Sequence, residues 1–171
     1  GGSGQSAWAK TTSEVETFRG ACAGLLSAQP GGMDGLEALA TRMANTSAHR
    51  GPDDSGAWAD AQAGIALGHR RLSIVDLSPA GHQPMASGSG RFVMAFNGEI
   101  YNHMELRAEL ERGDGLPRYA RNDEAGWRGH SDTETLLAGF EHWGIAATLA
   151  KTVGMFAIAL WDVQERTLHL A

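Results

Sequence analysis

The sequence predicts an α+β protein in which antiparallel sheets carry helices on their outer faces. Three observations carry this. Strand-like apolar runs come in adjacent pairs, at 57–59 with 65–69 and at 155–161 with 167–171, so each strand can turn straight back on its neighbour. Amphipathic helical segments fall between such pairs and not between single strands, which argues against strict βαβ alternation. With 42% hydrophobic and 20% charged residues, the 171-residue chain suits one globular domain with one sizeable core.

In chain order, residues 1–19 are rich in Gly, Ser and Thr, show little apolar periodicity, and open on Gly1-Gly2-Ser3-Gly4. They read as a tag, linker or loosely held N-terminal extension, with the domain at 20–171. Gly20-Ala21-Cys22-Ala23-Gly24-Leu25-Leu26 predicts a buried strand, broken by Gln29-Pro30-Gly31-Gly32. Asp34 can cap a helix to about Asn45 with Leu36, Leu39, Ala40 and Met43 on one face. Residues 50–56 form a loop by composition, the strand pair 57–59 and 65–69 follows, 71–76 continues as strand or extended loop, and 78–85 is loop again.

The run Phe92-Val93-Met94-Ala95-Phe96 predicts a buried strand, and the stretch after it, Asn97-Gly98-Glu99-Ile100-Tyr101-Asn102, supports two readings. Asn97-Gly98 can be a hairpin turn, because both residues tolerate positive φ. It can also belong to a site for a small zwitterion. An Asn side chain and a Gly N–H can point at a developing oxyanion, and the Glu99 carboxylate can hold an ammonium. A helix at 104–111 follows, with Leu106 and Leu110 on one side, and 113–129 is polar and Gly-rich. Ser131-Asp132-Thr133-Glu134 has the spacing of a capping box and opens a helix with Leu136, Leu137, Phe140 and Trp143 on its apolar face. After a short helix at 145–151, the run 155–161 is apolar on both alternating sets, which predicts a strand covered on both faces. Residues 163–166 turn the chain into the last strand.

Composition narrows the function classes. A net charge of −6 without any basic cluster argues against a nucleic-acid partner. No apolar run reaches the roughly 18 residues of a spanning helix, and no export signal opens the chain, so neither a membrane nor secretion is expected. The single cysteine, Cys22, excludes an intramolecular disulfide and a multi-thiolate metal site, and points to the cytoplasm. It is either a small core residue or a nucleophile. His49, His69, His82, His103 and His130 match no zinc spacing, so they read as loop or supporting hydrogen-bonding groups and no metal is expected.

Several blocks together carry a family resemblance: His49-Arg50-Gly51-Pro52-Asp53-Asp54-Ser55-Gly56, the run from Leu67-Gly68-His69-Arg70-Arg71-Leu72 to Ser78, Gly81-His82-Gln83-Pro84-Met85, the Asn97-Gly98-Glu99 stretch, His130-Ser131-Asp132-Thr133-Glu134, and Gly154 to Asp162. From about Gly20 onward the chain resembles the class II glutamine amidotransferase domain of glutamine-hydrolysing asparagine synthetases. The resemblance implies an N-terminal-nucleophile hydrolase fold, an αββα sandwich of two antiparallel sheets between helix layers. It also implies a cysteine at the first mature residue, whose thiolate attacks the side-chain amide of L-glutamine with its own α-amino group as base. Asn97 and Gly98 take the place of the oxyanion donors. Arg71 takes that of the arginine on the substrate α-carboxylate, a task that suits a planar two-pronged donor. Glu99 and Asp132 would hold the ammonium.

The resemblance implies no cofactor in this domain. It implies a partner synthetase domain, in cis or in trans, which uses ATP and Mg to amidate aspartate or a related acceptor; a homodimer is one option for assembly. The loop that binds pyrophosphate in that domain is absent, so the chain reads as C-terminally truncated and unable to make asparagine alone. The family opens Cys-Gly-Ile-Ala-Gly-Leu-Leu. Aligned through Ala23-Gly24-Leu25-Leu26, Gly20 stands at the nucleophile position and Cys22 replaces the Ile. A two-residue shift instead makes Cys22 the nucleophile on the same strand face, and requires removal of residues 1–21. At this position a dead or altered nucleophile is the favoured reading, while the domain as a whole reads as one that hydrolyses L-glutamine to glutamate and ammonia for the synthetase domain, with a catalytically inactive glutamine-binding or scaffold module as the alternative.

Overall fold

The structure is a computed structural model, and it describes residues 20–26, 35–71, 81–112 and 127–171. In chain order the elements are β1 (Gly20–Leu26), α1 (Leu36–Asn45), a 3₁₀ turn (Ala48–Arg50), β2 (Asp54–Asp60), β3 (Ile65–Arg71), β4 (Met85–Ala86), β5 (Phe92–Ile100), α2 (His103–Arg112), α3 (Asp132–His142), α4 (Ile145–Lys151), β6 (Gly154–Asp162) and β7 (Thr167–Leu170). They build two sheets, β1-β3-β2 and β4-β5-β6-β7, in which every pairing is antiparallel, as an α+β protein requires.

Side-chain alternation sorts these elements into layers. On the first sheet, Leu36 and Ala40 of α1 pack against Ala66, with Ala57 and Ala59 beside them. The other face of that sheet presents Ile65 and Leu67 to Val93, Ala95 and Trp161 of the second sheet. The far face of the second sheet carries Phe92, Met94, Phe96, Ile100, Ile158 and Leu160 against Leu106, Leu136, Leu137 and Phe140 of the helices. Even-numbered residues of β5 therefore face α2 and α3, and odd-numbered ones face the first sheet.

The structure changes several details of the prediction. Helix α1 is preceded by Gly35 in the left-handed region, at φ 93, so it starts at Leu36. Its buried positions are Leu36, Ala40 and Ala44, while Leu39 and Met43 are only half-buried. The reason is the closeness of its approach: a Cβ at Gly68 of β3 would lie 2.7 Å from the Ala40 carbonyl oxygen and 3.2 Å from the Ala44 Cβ, so only a stripe of small residues fits. Strand β2 begins at Asp54, three residues early, because β3 pairs it residue by residue from Asp54↔Arg71 to Asp60↔Ile65.

Asn97-Gly98 is not a hairpin turn. β5 continues through it to Ile100, with Asn97↔Ala157 and Gly98↔Phe156 in register on β6. Coverage of β6 on both faces holds only for its C-terminal half. Met155 is 42% exposed and Ala157 is exposed, so the space between the sheets is open at that end. Strand β4 was not legible, since two residues carry no periodicity. At α3, Ser131 Oγ accepts the Glu134 N–H at 3.3 Å as the capping box requires. The Glu134 carboxylate does not reach back; it accepts the Arg128 and Gly129 N–H groups at 2.8 and 3.1 Å and fastens the incoming loop. The break at Gln29–Gly32, Asp34, the continuation after Arg71 and most of the 113–129 segment fall outside the described residues. No helix among the described residues is long and apolar enough to cross a membrane.

Candidate active site

The site is built on the backbone of β5. Backbone bonds at Arg91–Val163 and Tyr101–Val153 fix the pattern of the β5–β6 ladder: odd residues of β5 bond β6, and even residues turn their N–H and C=O to the opposite side. On that opposite side almost every group has a partner. Phe92 exchanges bonds with Ser87, and Met94 pairs with Met85 of β4. The Phe96 N–H donates to Gln83 Oε1 at 2.6 Å, and its carbonyl accepts from His69 Nε2 at 2.9 Å. The Ile100 N–H donates to Asp132 Oδ2 at 3.1 Å, and its carbonyl accepts from His103 Nδ1 at 2.9 Å. Gly98 alone, between them, has no such partner among the described residues, and it is exposed. Among the described residues an outward N–H is thus left open.

Next to it, Asn97 points by alternation toward the first sheet, and its Oδ1 is buried with no hydrogen-bond partner among the described residues. Glu99 lies on the same face and is exposed. Across from them the first sheet presents two rows. Gly20, Arg71 and Asp54 form one, and Cys22, His69 and Gly56 the next. Residues opposite one another share a face, so both alignments of the nucleophile, Gly20 and Cys22, fall on the side that looks at Asn97. The His69–Phe96 bond ties the two sheets together at this point.

Electrostatics distinguish the groups. His69 is 3% exposed, and its Nε2 must carry the proton because a carbonyl can only accept. Burial, reinforced by the nearby Arg71 charge, pushes its pKa down to about 4, so the ring is neutral at pH 7. Asp54 accepts from His82 Nδ1 at 2.8 Å. Burial alone would raise the Asp54 pKa, but the His82 hydrogen bond and charge, the Ser55 N–H and the Arg71 charge together hold it below the usual carboxylate range. Asp132 is shifted up by burial, against the lowering effect of the Ile100 and Thr133 N–H groups it accepts. Cys22 keeps accessible surface, yet desolvation by the surrounding chain pushes its thiol up to about 12. Accessibility governs what can reach the sulfur, whereas desolvation governs its charge. At neutral pH it is a thiol, not a thiolate.

Arg71 ends β3 with its guanidinium laid against Gly81. A Cβ there would fall 2.2 Å from Nη2. Gly81→Ala is therefore expected to push the arginine head aside. Because that head is the flexible end of a side chain, the melting temperature should move by less than about 3 °C, whereas affinity for an α-amino acid carboxylate should fall about tenfold; thermal denaturation and calorimetric titration read the two separately.

Of the residues singled out in the sequence, the structure gathers Arg71 and Cys22 on the inward face of the first sheet, Asn97, Gly98 and Glu99 on β5, and Asp132 on the edge of β5 at Ile100. In the sequence His69 reads only as a supporting hydrogen-bonding group, and Gln83 only as a member of the Gly81–Met85 block. Their signal was present, as a histidine and a glutamine inside otherwise structural blocks, but their partner is a main-chain unit far along the chain, which no spacing reveals.

The family described as the glutamine amidotransferase domain matches residues 22–171, and the chain belongs to it. Among curated relatives, a Mycobacterium tuberculosis protein whose name assigns it to the glutamine-hydrolysing asparagine synthetases is 42% identical over 152 residues, covering 85% of this chain and 22% of the relative. Asparagine synthetase B of Escherichia coli is 42% identical over 130 residues, 76% of this chain and 21% of the relative. Amidase chry2 of Gibberella zeae is 37% identical over 124 residues, 72% and 17% respectively. The chain spans about a fifth of the length of these relatives.

Proposed function

We propose that the open end of the space between the sheets binds L-glutamine, and that the domain supplies ammonia from its side-chain amide to a synthetase domain of a longer protein. The observation that carries this is the Gly98 N–H, without a partner among the described residues, beside Asn97, whose side chain faces the rows that hold Arg71 and Cys22. Arg71 would take the substrate carboxylate in a two-pronged contact. Asp132, Glu99 and the Gly98 carbonyl would take the ammonium. When a thiolate adds to the amide carbon, the carbonyl oxygen becomes an oxyanion that the Gly98 N–H and Asn97 side chain stabilise. In a chain starting at Cys22, the α-amino group that took the thiol proton returns it to the amide nitrogen as collapse breaks the C–N bond, releasing ammonia and leaving a thioester that water hydrolyses to glutamate. The layers of helix, sheet, sheet and helix support an N-terminal-nucleophile hydrolase fold over 20–171, after an N-terminal extension. Downstream, ATP and Mg in the synthetase domain would drive amidation of aspartate or a related carboxylate.

A second reading, glutamine binding without turnover, is favoured by one specific observation. Cys22 sits inside β1 with its nitrogen in a peptide bond and its thiol desolvated, so it has neither a free α-amine nor thiolate character. One experiment addresses both readings. Titration with L-glutamine should show binding that weakens at least about tenfold in Arg71→Ala, in keeping with loss of a charged hydrogen-bonding partner. Glutamate release should appear when the chain starts at Cys22, and not when Cys22 is internal. Unchanged binding in Arg71→Ala would remove the substrate assignment, and glutamate release with Cys22 internal would remove the requirement for a free amine.

A further inference from the structure

We infer that His69 and Gln83 are positioning residues that keep the Gly98 N–H vacant by replacing a strand with two side chains. The inference rests on the proposed role of Gly98 as oxyanion donor, on the edge of β5 that is paired further back by β4. That strand pairs Met85 with Met94 and Ala86 with Val93. Continued backwards in the same register, the ladder would set Gln83 opposite Phe96 and residue 81 opposite Gly98. A backbone there would occupy the Gly98 N–H as well as the Phe96 groups. The chain instead leaves the ladder at Pro84, which has no N–H to give it. Gly81 goes to Arg71, where a Cβ would not fit, and not to Gly98.

Departure of the strand would orphan the Phe96 N–H and carbonyl in a buried setting, at a cost that the two side chains remove. Gln83, 6% exposed, reaches back in register, accepts the Phe96 N–H at 2.6 Å and extends its Nε2 toward Thr133 Oγ1 at 3.4 Å. His69 comes from the first sheet and donates to the Phe96 carbonyl. That carbonyl belongs to the peptide unit that enters Asn97, so His69 fixes the plane that carries the Asn97 Cα, one peptide unit before the Gly98 N–H. On the far side, Asp132 and His103 hold Ile100 in the same manner. The result is a strand edge clamped two residues before and two residues after one free donor.

The test uses ¹H–¹⁵N spectra and amide exchange of the intact chain, with L-glutamine as probe and three variants. Gln83→Met and His69→Met remove the bonds at similar volume, while His69→Gln keeps a donor near the Nε2 position. In the unsubstituted protein, L-glutamine should shift the Gly98 amide and the Arg71 side-chain Nε–H. In Gln83→Met and His69→Met, exchange at Phe96, Asn97 and Gly98 should quicken by at least about tenfold with little change in the remaining strands, and the Gly98 shift should vanish while the Arg71 shift persists. His69→Gln should restore the behaviour lost in His69→Met. Faster exchange spread evenly over the molecule, or failure of His69→Gln to rescue, would reduce both residues to general stability and overturn the inference. So would a Gly98 shift retained in both methionine variants. An Arg71 shift without any Gly98 shift in the unsubstituted protein overturns the inference but leaves the carboxylate site; absence of both removes the proposed function as well.

Discussion

Gly98→Ala is expected to lose the site and about 1–3 kcal/mol of stability in one step. The residue sits at φ 150, outside the range that L side chains adopt comfortably. A Cβ there would lie 2.2 Å from the Met155 carbonyl oxygen and 2.5 Å from the Phe156 Cα, and both of these are backbone atoms of β6. No rotamer change relieves such contacts. β6 would have to move off β5, and the Gly98 N–H would turn with it. Gly90→Ala is the control, because that glycine is also in the positive-φ region, at 76, but a Cβ would find nothing within 4 Å. It should cost about 1 kcal/mol of backbone strain and leave glutamine affinity unchanged. Urea unfolding and glutamine titration of both variants check the pair. Equal stability losses in the two, with binding retained at Gly98→Ala, would contradict the close packing described for β5 and β6.

The second large effect concerns acid. His69 is held near pKa 4 in the folded chain against an ordinary histidine value of 6.5. A group whose folded pKa is depressed contributes stability that is present above the unfolded value and lost as pH falls toward the folded one. Between pH 7.5 and 4.5, protonation of the unfolded chain at His69 should therefore cost about 2–3 kcal/mol of folding stability. His69→Gln keeps the hydrogen bond to Phe96 but cannot titrate, so its stability should depend less on pH over that window by the same amount. The difference between the two urea-unfolding profiles, taken every half pH unit, isolates this one group from the carboxylates that titrate at lower pH. Parallel profiles would mean that His69 is solvated or charged in the folded state.

Much of the fold was legible because local patterns and tertiary structure agree. Paired apolar runs became antiparallel hairpins, and Ser131 capped α3 as its spacing required. The candidate site was legible in two ways. Asn97, Gly98 and Glu99 are types suited to an oxyanion and an ammonium, whereas Arg71 and Asp132 enter through the family resemblance alone. What could not be read was tertiary in origin. Asn97-Gly98 favours a turn locally, and only pairing with β6 along its whole length draws it out as strand. The alanine face of α1 follows from the closeness of Gly68, which no helical period encodes. Gln83 standing in for a strand depends on where β4 stops, two residues into a ladder too short to leave a pattern.

The alanine stripe beneath α1 has a kinetic consequence. Among the described residues, the contact between α1 and the first sheet buries Leu36 and the small residues Ala40, Ala44 and Ala66, whereas eleven residues, four of them from helices, form the buried cluster on the far side of the second sheet. Small side chains bring the backbones close but withdraw little apolar area from water, and area sets the free energy of separation. The molecule is therefore lopsided. Its two halves are expected to open at different free energies, with α1 lifting away in a partial unfolding that leaves β5, β6 and α3 intact. Among the described helices, limited proteolysis under native conditions should then cut within 36–45 before it cuts α2 or α3, at a rate set by that local opening and not by unfolding of the whole chain.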